Sequence, residues 1–332
     1  MEPVLIAVIS LVCASIFVNG WTDAPNAITT VVSTRVLSPK VAIALAAVFN
    51  LLGVLFMGTA VAETIGNIIT LTPGRDALLT LAAAQVSIVA WAVGAWKFGI
   101  PTSESHALVA GLSGAALAGG GLSSISWAEW QKVLLGLAIS SVMGFGSGWL
   151  VTSIVAKVFG NMKKRAANRL FSTGQVVSAS AMAFSHGAQD GQKFMGVLAF
   201  ALMLGGRMKA EGEFAVPVWI MVFCSLLMAL GTSVGGRRII KTMGMDMVKI
   251  EKYQGFSAEI GASVCMIGAT VFGIPLSTTN TKGTAIMGAA AARRVSNVNW
   301  TVVKDMFTAW ILTFPCCALI GYFTALLLRA IF

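Results

Sequence analysis

The sequence predicts an all-α polytopic membrane protein: two inverted-topology repeats with broken helices or re-entrant hairpins, in about 10–12 membrane segments. Three observations lead there. First, the 332 residues are 57% hydrophobic and only 11% charged, with a mean hydropathy of +0.84. Soluble domains carry about 25% charged residues, so this composition belongs in a bilayer. Second, apolar stretches follow one another along the whole chain. Third, polar motifs interrupt those stretches and recur in the same order in each half.

The apolar stretches cover roughly residues 4–33, 41–62, 77–96, 105–119, 133–156, 172–204, 214–235, 255–272, 278–292 and 302–331. A spanning helix needs about 20 mostly apolar residues. Several stretches are too short, too long or too polar for a simple span, and 105–119 and 278–292 either cross or re-enter. Strand alternation is missing, which argues against a β-barrel. The 35 glycines suit close helix packing and interrupted helices. The only early charge is Glu2, and no small-residue cleavage site precedes Asn19, so no signal peptide is expected. Cys13, Cys224, Cys265, Cys316 and Cys317 lie in apolar stretches without metal-binding spacing and read as core filling. The nine tryptophans read as interface anchors or helix packing.

A net charge of +10 raises nucleic acid as a partner, but its distribution argues otherwise. The basic runs 157–169 and 235–252, and Arg293 with Arg294, sit between apolar stretches. Short basic loops of this kind mark the cytoplasmic side. With those three inside, both termini fall outside, as do the loops around Arg75 and around Arg207 and Lys209. The expected organisation is a first repeat over 1–156, a basic cytoplasmic linker over 157–171 and a second repeat over 172–332. The expected location is the cell (inner) membrane.

The repeat rests on two matches. "FVNGWTDAPNAI" (17–28) aligns with "FSHGAQDGQKFM" (184–195), placing Phe17 on Phe184, Gly20 on Gly187, Asp23 on Asp190 and Asn26 on Lys193. "FGIPTSESHALVAGLSGAA" (98–116) aligns with "FGIPLSTTNTKGTAIMGAA" (272–290), placing Ser103 on Ser277, Ser105 on Thr279 and His106 on Asn280. The second offset also sets Gln85 on Glu259. An odd number of passes per half inverts the second half, a common architecture of secondary transporters.

The chemistry of the motifs points to two charges of opposite sign. Hydroxyls and free N–H groups at a helix start bind anions without a full positive charge. Thr102, Ser103, Ser105, Ser277, Thr278 and Thr279 supply such donors in two copies, enough for a tetrahedral oxyanion. Plain N-capping by serine or threonine is the competing reading. Asp23 and Asp190 repel an anion and so call for a cation. Asn26, Gln85, Gln189, Glu104 and Glu259 add oxygens suited to a hard cation such as Na⁺, and Asn26, Gln189 and Lys193 are also expected phosphate contacts. On this reading Asp23 and Asn26 form half of a coupled-ion site, and Pro25 helps keep the helix open around it. Lys193 either offsets the anion or neutralises Asp190; pairing of Asp23 and Asp190 with Lys193 and Lys282 alone leaves the hydroxyl loops unexplained. His106 and His186 read as packed, hydrogen-bonded histidines. There is no phosphate-binding loop of an ATP motor, so transport draws on an ion gradient or is passive.

Together these motifs resemble the inorganic phosphate transporter (PiT) family. "NGWTDAPNAITTVVSTR" and "SHGAQDGQKFMGV" are similar to its two inverted signatures, and "PTSESHALVAGLSGAAL" and "PLSTTNTKGTAIMGAA" to its hydroxyl loops. The resemblance covers the whole chain. It implies symport of inorganic phosphate with a cation, no enzymatic activity, no cofactor beyond a coupling ion, and a homodimer in membrane lipid. It carries Asp23, Asn26, Asp190, Lys193 and both loops over as the site. Gln189 stands where the family usually has asparagine, Asn280 where it has histidine, and Glu104 where it has serine. Losing a histidine and gaining a carboxylate leans toward Na⁺ rather than H⁺. Two alternatives remain: transport of another tetrahedral oxyanion such as sulfate, and a membrane enzyme acting on lipid phosphate with Asp23 and Asp190 around a divalent metal.

Overall fold

A computed structural model describes residues 2–208 and 216–332. Lys209, expected on the outer side, lies outside the described residues. The described chain is helical almost throughout, with β-pairing limited to two isolated bridges, Ile69 with Ile125 and Val248 with Val298. Helix α1 (Glu2–Thr22) meets a 3₁₀ turn over Ala24–Ile28 and continues as α2 (Thr29–Ser33). Then come α3 (Pro39–Phe56), α4 (Ala60–Gly66), α5 (Arg75–Phe98), α6 (Glu104–Gly120) and α7 (Trp127–Phe159). The second half starts with α8 (Lys164–His186), a π turn over Gly187–Gly191 and α9 (Gln192–Leu204). It continues through α10 (Val218–Gly235), α11 (Arg237–Lys241), α12 (Lys252–Val271), α13 (Thr278–Ala291) and α14 (Trp300–Ile331). Each apolar stretch of the sequence falls mainly on helix among the described residues.

Among the described residues, six helical stretches are long and apolar enough to cross a bilayer: 2–33, 39–56, 75–98, 104–124, 127–159 and 300–331. Residues 218–234 and 237–246, bent by 64°, make a seventh if taken together. The other segments of the expected 10–12 fall on α8 with α9, α12 and α13, which are shorter or more polar than these six. Helices α8 and α12 carry buried polar groups, Gln175, Ser178 and His186 on one and Gln254, Ser257, Glu259 and Ser263 on the other. Those faces are turned toward each other and toward the rest of the protein rather than lipid. Helix α13 has 14 residues, a rise of about 21 Å against about 30 Å of hydrocarbon. Its first 13 residues, through Ala290, are buried, which fits a re-entrant segment enclosed by other helices.

Two "FGIP" motifs build the same corner twice. Gly99 (φ +72°) and Gly273 (φ +64°) occupy the left-handed region that ends a helix. Ile100 N–H donates to the Ala95 carbonyl and Gly99 N–H to that of Trp96; Ile274 N–H donates to Ala269 and Gly273 N–H to Thr270. Both α5 and α12 therefore end in a Schellman cap, and proline then prevents the helix from resuming at once. After each corner a serine restarts the chain: Ser103 accepts from His106 N–H, and Ser277 from Asn280 N–H.

Helices of one half pack mainly on helices of the other. α1 crosses α10, α3 crosses α8, α6 crosses α14 and α7 crosses α13. The closest approaches come in matched pairs. A β-carbon on Gly20 would lie 2.0 Å from the Met228 carbonyl oxygen, and one on the matched Gly187 would lie 2.0 Å from that of Asn50. Gly114 and its match Gly288 are likewise pressed on the carbonyls of Ala318 and Phe145. Small residues permit this backbone contact, which drives helix association in lipid. Two apolar cores result, one rich in α1, α5, α6 and α9 and one in α12 and α13. The 3₁₀ break spans both, with Ala24 in the first core and Ala27 and Ile28 in the second.

Candidate functional site

The two interrupted helices deliver Asp23 and Asp190 to one buried cluster. Pro25 lacks an N–H, so the α-helical ladder tightens into a 3₁₀ turn and Asp23 stands at its start. In the second half, Asp190 lies within the π turn, a widened helical turn frequent at functional sites. Both side chains are essentially inaccessible to solvent. The Thr278 hydroxyl lies between them, 2.9 Å from Asp190 Oδ2 and 3.4 Å from both Asp23 oxygens. One ligand atom each of Asp23, Asp190 and His186 falls within 4.8 Å of the others.

The neighbours of the two carboxylates differ. Asp23 Oδ1 accepts from Asn26 Nδ2 at 2.7 Å and from the Thr279 hydroxyl. Asn26 Nδ2 also donates to Thr279 Oγ1 at 2.8 Å. Asp190 instead meets Lys193 Nζ at 2.8 Å and His186 Nε2 at 3.4 Å. The Lys193 ammonium donates further to Ser105 Oγ at 2.6 Å and to the Leu276 carbonyl at 2.5 Å. An ammonium has three donors, so all are engaged. Lys193 thereby ties Asp190 to the first hydroxyl loop through Ser105 and to the second through Leu276.

Several buried oxygens around the cluster have no hydrogen-bond donor: Asn26 Oδ1, Glu104 Oε2, Asn280 Oδ1 and Asn19 Oδ1. Such atoms are rare in folded proteins and call for an explanation. The His186 nitrogens are likewise without a hydrogen-bond partner, so the cluster offers mostly oxygen ligands, which a hard cation such as Na⁺ prefers, beside one imidazole.

The residues expected at the site sort into three groups. Asp23, Asn26, Asp190, Lys193, Ser105, Thr278 and Thr279 come together as described. Ser103 and Ser277 are N-caps, the plainer of their two readings, and Thr102 is buried beside Ser103. Glu104 accepts from the Thr22 hydroxyl. The remaining three lie elsewhere. Gln189 splints the second loop: its Oε1 accepts from Leu276 N–H at 3.1 Å, and its Nε2 donates to Thr270 Oγ1 at 2.9 Å and the Ile274 carbonyl at 3.2 Å. Gln85 accepts from Ser15 at 2.5 Å. Glu259 accepts from Thr30 and Ser178 and lies 3.6 Å from Lys282 Nζ, so Lys282 pairs with Glu259 and not with an aspartate. Sequence reasoning missed His186 as a neighbour of Asp190, although its position four residues before Asp190 on one helix face carried that signal.

The profile of the phosphate transporter family matches residues 19–321 of this chain. The chain belongs to that family. A protein of Rhizobium meliloti (strain 1021) named "Probable low-affinity inorganic phosphate transporter" is 42% identical over 97% of each chain. One of Bacillus subtilis (strain 168) with the same name is 36% identical over the full length of both. A solved structure, "The sodium-dependent phosphate transporter", superposes with a TM-score of 0.88 over 99% of this chain and all of the other at 20% identity, which shows a shared fold. Membership makes the chain a multi-pass phosphate transporter and sets aside both the sulfate reading and the lipid-phosphate enzyme.

Proposed function

We propose that the protein is a cation-coupled phosphate symporter, with Na⁺ as the coupling ion, working by alternating access between two inverted repeats. One observation carries the reading: two buried aspartates converge on Thr278 while a single ammonium, Lys193, faces only one of them. With both carboxylates ionised the three groups sum to −1. A phosphate anion entering that site is repelled until a cation has joined it, because charges a few ångströms apart interact strongly where water is excluded. Asp23, Asn26 Oδ1 and the adjacent threonine hydroxyls are the cation's ligands. The hydroxyls of Ser105, Thr278 and Thr279 are the phosphate's donors, and His186 borders both. Thr102, Ser103 and Ser277 shape the loops; Glu104, held by Thr22, borders the cluster, and Gln85 and Glu259 lie away from it.

The matched Schellman corners, matched serine caps and matched glycine crossings support repeats over 1–156 and 172–332, joined through 157–171. Basic loops at 157–169, at 235–252 and at Arg293 and Arg294 support a cytoplasmic location for those three. The sodium dependence of the transporter that shares this fold, together with the mostly oxygen ligand set, supports Na⁺; association as a homodimer follows from the family resemblance. The test is uptake of labelled phosphate into liposomes holding the purified protein. An inward Na⁺ gradient should drive accumulation. Accumulation driven equally well by a proton gradient in Na⁺-free buffer overturns the assignment.

A further inference from the structure

A cavity of about 570 Å³ opens far along the chain from the aspartate cluster, where the end of α7 and the start of α8 meet the start of α12 and the end of α13. Its floor is aromatic. Phe171 packs on Phe159 with centroids 5.6 Å apart and on Tyr253 at 6.1 Å. Its rim is basic, with Lys164, Lys252 and Arg293. The one acidic lining residue, Glu251, is bound to Arg293 at 2.5 Å. Lys252 donates to Ser172 at 2.6 Å, and Lys164 has no acidic partner among the described residues. The lining therefore carries two positive charges in excess.

A further feature indicates what those charges hold. Thr152 lines the cavity, is 1% exposed, and its hydroxyl has no hydrogen-bond partner. A buried hydroxyl in that state lacks an acceptor that the protein itself does not provide. Leu150, Ile154 and Val158 follow at four-residue spacing along α7, and all are exposed. They lie on the face of α7 opposite the cavity-lining Thr152, Val155, Ala156 and Phe159, which leaves the cavity on the protein-facing side of a helix whose other side is apolar and exposed.

We propose that this cavity binds the phosphate headgroup of an anionic phospholipid. Lys164, Lys252 and the Thr152 hydroxyl donate to the phosphate oxygens, and the aromatic floor takes the glycerol and first methylenes. Basic pockets between membrane helices recognise lipid headgroups in this way. Free inorganic phosphate shares the headgroup chemistry but gains nothing from the aromatic floor, so a lipid is the better fit. The inference is independent of the transport reading, since binding is measured without a gradient.

The experiment uses purified full-length protein, with lipid retention read by native mass spectrometry and thermal unfolding as a second readout. The probes are phosphatidylglycerol, phosphatidylcholine and inorganic phosphate. Phosphatidylglycerol should be retained and should raise the unfolding temperature; phosphatidylcholine should do neither, and any stabilisation by inorganic phosphate, which acts through the transport site, should be the same in the parent and in the double variant. Lys164→Gln with Lys252→Gln should weaken retention by about fivefold per cation, about twenty-five-fold together. Glu251→Gln, which frees Arg293, should strengthen it, and this arm stands even if the double variant folds poorly. Retention unchanged in the double variant, weaker retention in Glu251→Gln, an equal response to phosphatidylcholine, or a stabilisation by inorganic phosphate that the double variant loses to the same degree as phosphatidylglycerol retention overturns the proposal.

Discussion

At the first helix break Asp23 is followed three residues later by Asn26; at the second, Asp190 is followed three residues later by Lys193. The backbones around them also differ, a 3₁₀ turn opened by Pro25 against a π turn. Asp190 holds its cation covalently in the chain, 2.8 Å away and inaccessible to water. Asp23 has only neutral donors, Asn26, Thr278 and Thr279. The duplicated motif thus places two carboxylates in one site, and divergence at a single position leaves one of them short of a positive charge. That unfilled demand is what links a mobile cation to the anion, while the built-in pair fixes the two loops around both.

Breaking the built-in pair should have the largest effect. Asp190→Asn leaves Lys193 as an uncompensated buried charge, which typically costs about 3–5 kcal/mol. Unfolding of the purified protein should show that loss together with loss of uptake. Removing both charges, Asp190→Asn with Lys193→Met, should recover most of the stability and none of the uptake. If Asp190→Asn is as stable as the parent, the two aspartates are equivalent and the contrast between them fails.

The second buried pair sharpens the same contrast by separating stability from binding. Glu259 and Lys282 are fully buried but 3.6 Å apart, looser than Asp190 and Lys193. Lys282→Met should lower stability by about 3 kcal/mol, the lower end of the range for a broken buried pair. Phosphate affinity at saturating Na⁺ should stay within a factor of about two, because none of these groups touches the aspartate cluster; a tenfold loss would place Lys282 in the phosphate path.

The hydroxyls give the smallest expected effect. A hydroxyl donating to an ionised oxygen contributes roughly 1.5–3 kcal/mol, about ten- to a hundredfold in affinity. Ser105→Ala and Thr279→Val occupy matched positions, and each should weaken phosphate binding by a factor in that range at saturating Na⁺. Unchanged affinity with a lowered unfolding temperature would reduce both to structural hydroxyls, like the caps Ser103 and Ser277.

Much of this was legible in the sequence, for identifiable reasons. "FGIP" twice, followed by serine, encodes a helix stop, a left-handed glycine and a helix start, all set by local backbone chemistry. Asp23 and Asp190 stood out because a carboxylate in an apolar stretch is costly enough to need a reason. What stayed hidden depends on contacts between distant segments. Gln189 could serve an ion or a backbone; only the path of residues 274–276 past it decides for the backbone in this structure. The pairing of Lys282 with Glu259 follows from α12 packing on α13, which no spacing rule states. The role of α8, α12 and α13 was not legible either: α8 and α12 pair polar faces inside the protein while exposing Val177 and Val264, and α13 is enclosed, and hydropathy alone does not separate those environments.

The unequal aspartates are best tested by phosphate affinity measured against Na⁺ concentration, in the parent protein and in Asp23→Asn, with choline holding the ionic strength constant so that screening does not change. In the parent, affinity should rise steeply with Na⁺, and by linkage phosphate should raise Na⁺ affinity by the same factor. In Asp23→Asn, affinity should be nearly flat across the same range while the protein unfolds within about 1 kcal/mol of the parent. A steep Na⁺ dependence that survives in Asp23→Asn, or tight phosphate binding by the parent without Na⁺, contradicts the assignment of Asp23 as the cation's carboxylate.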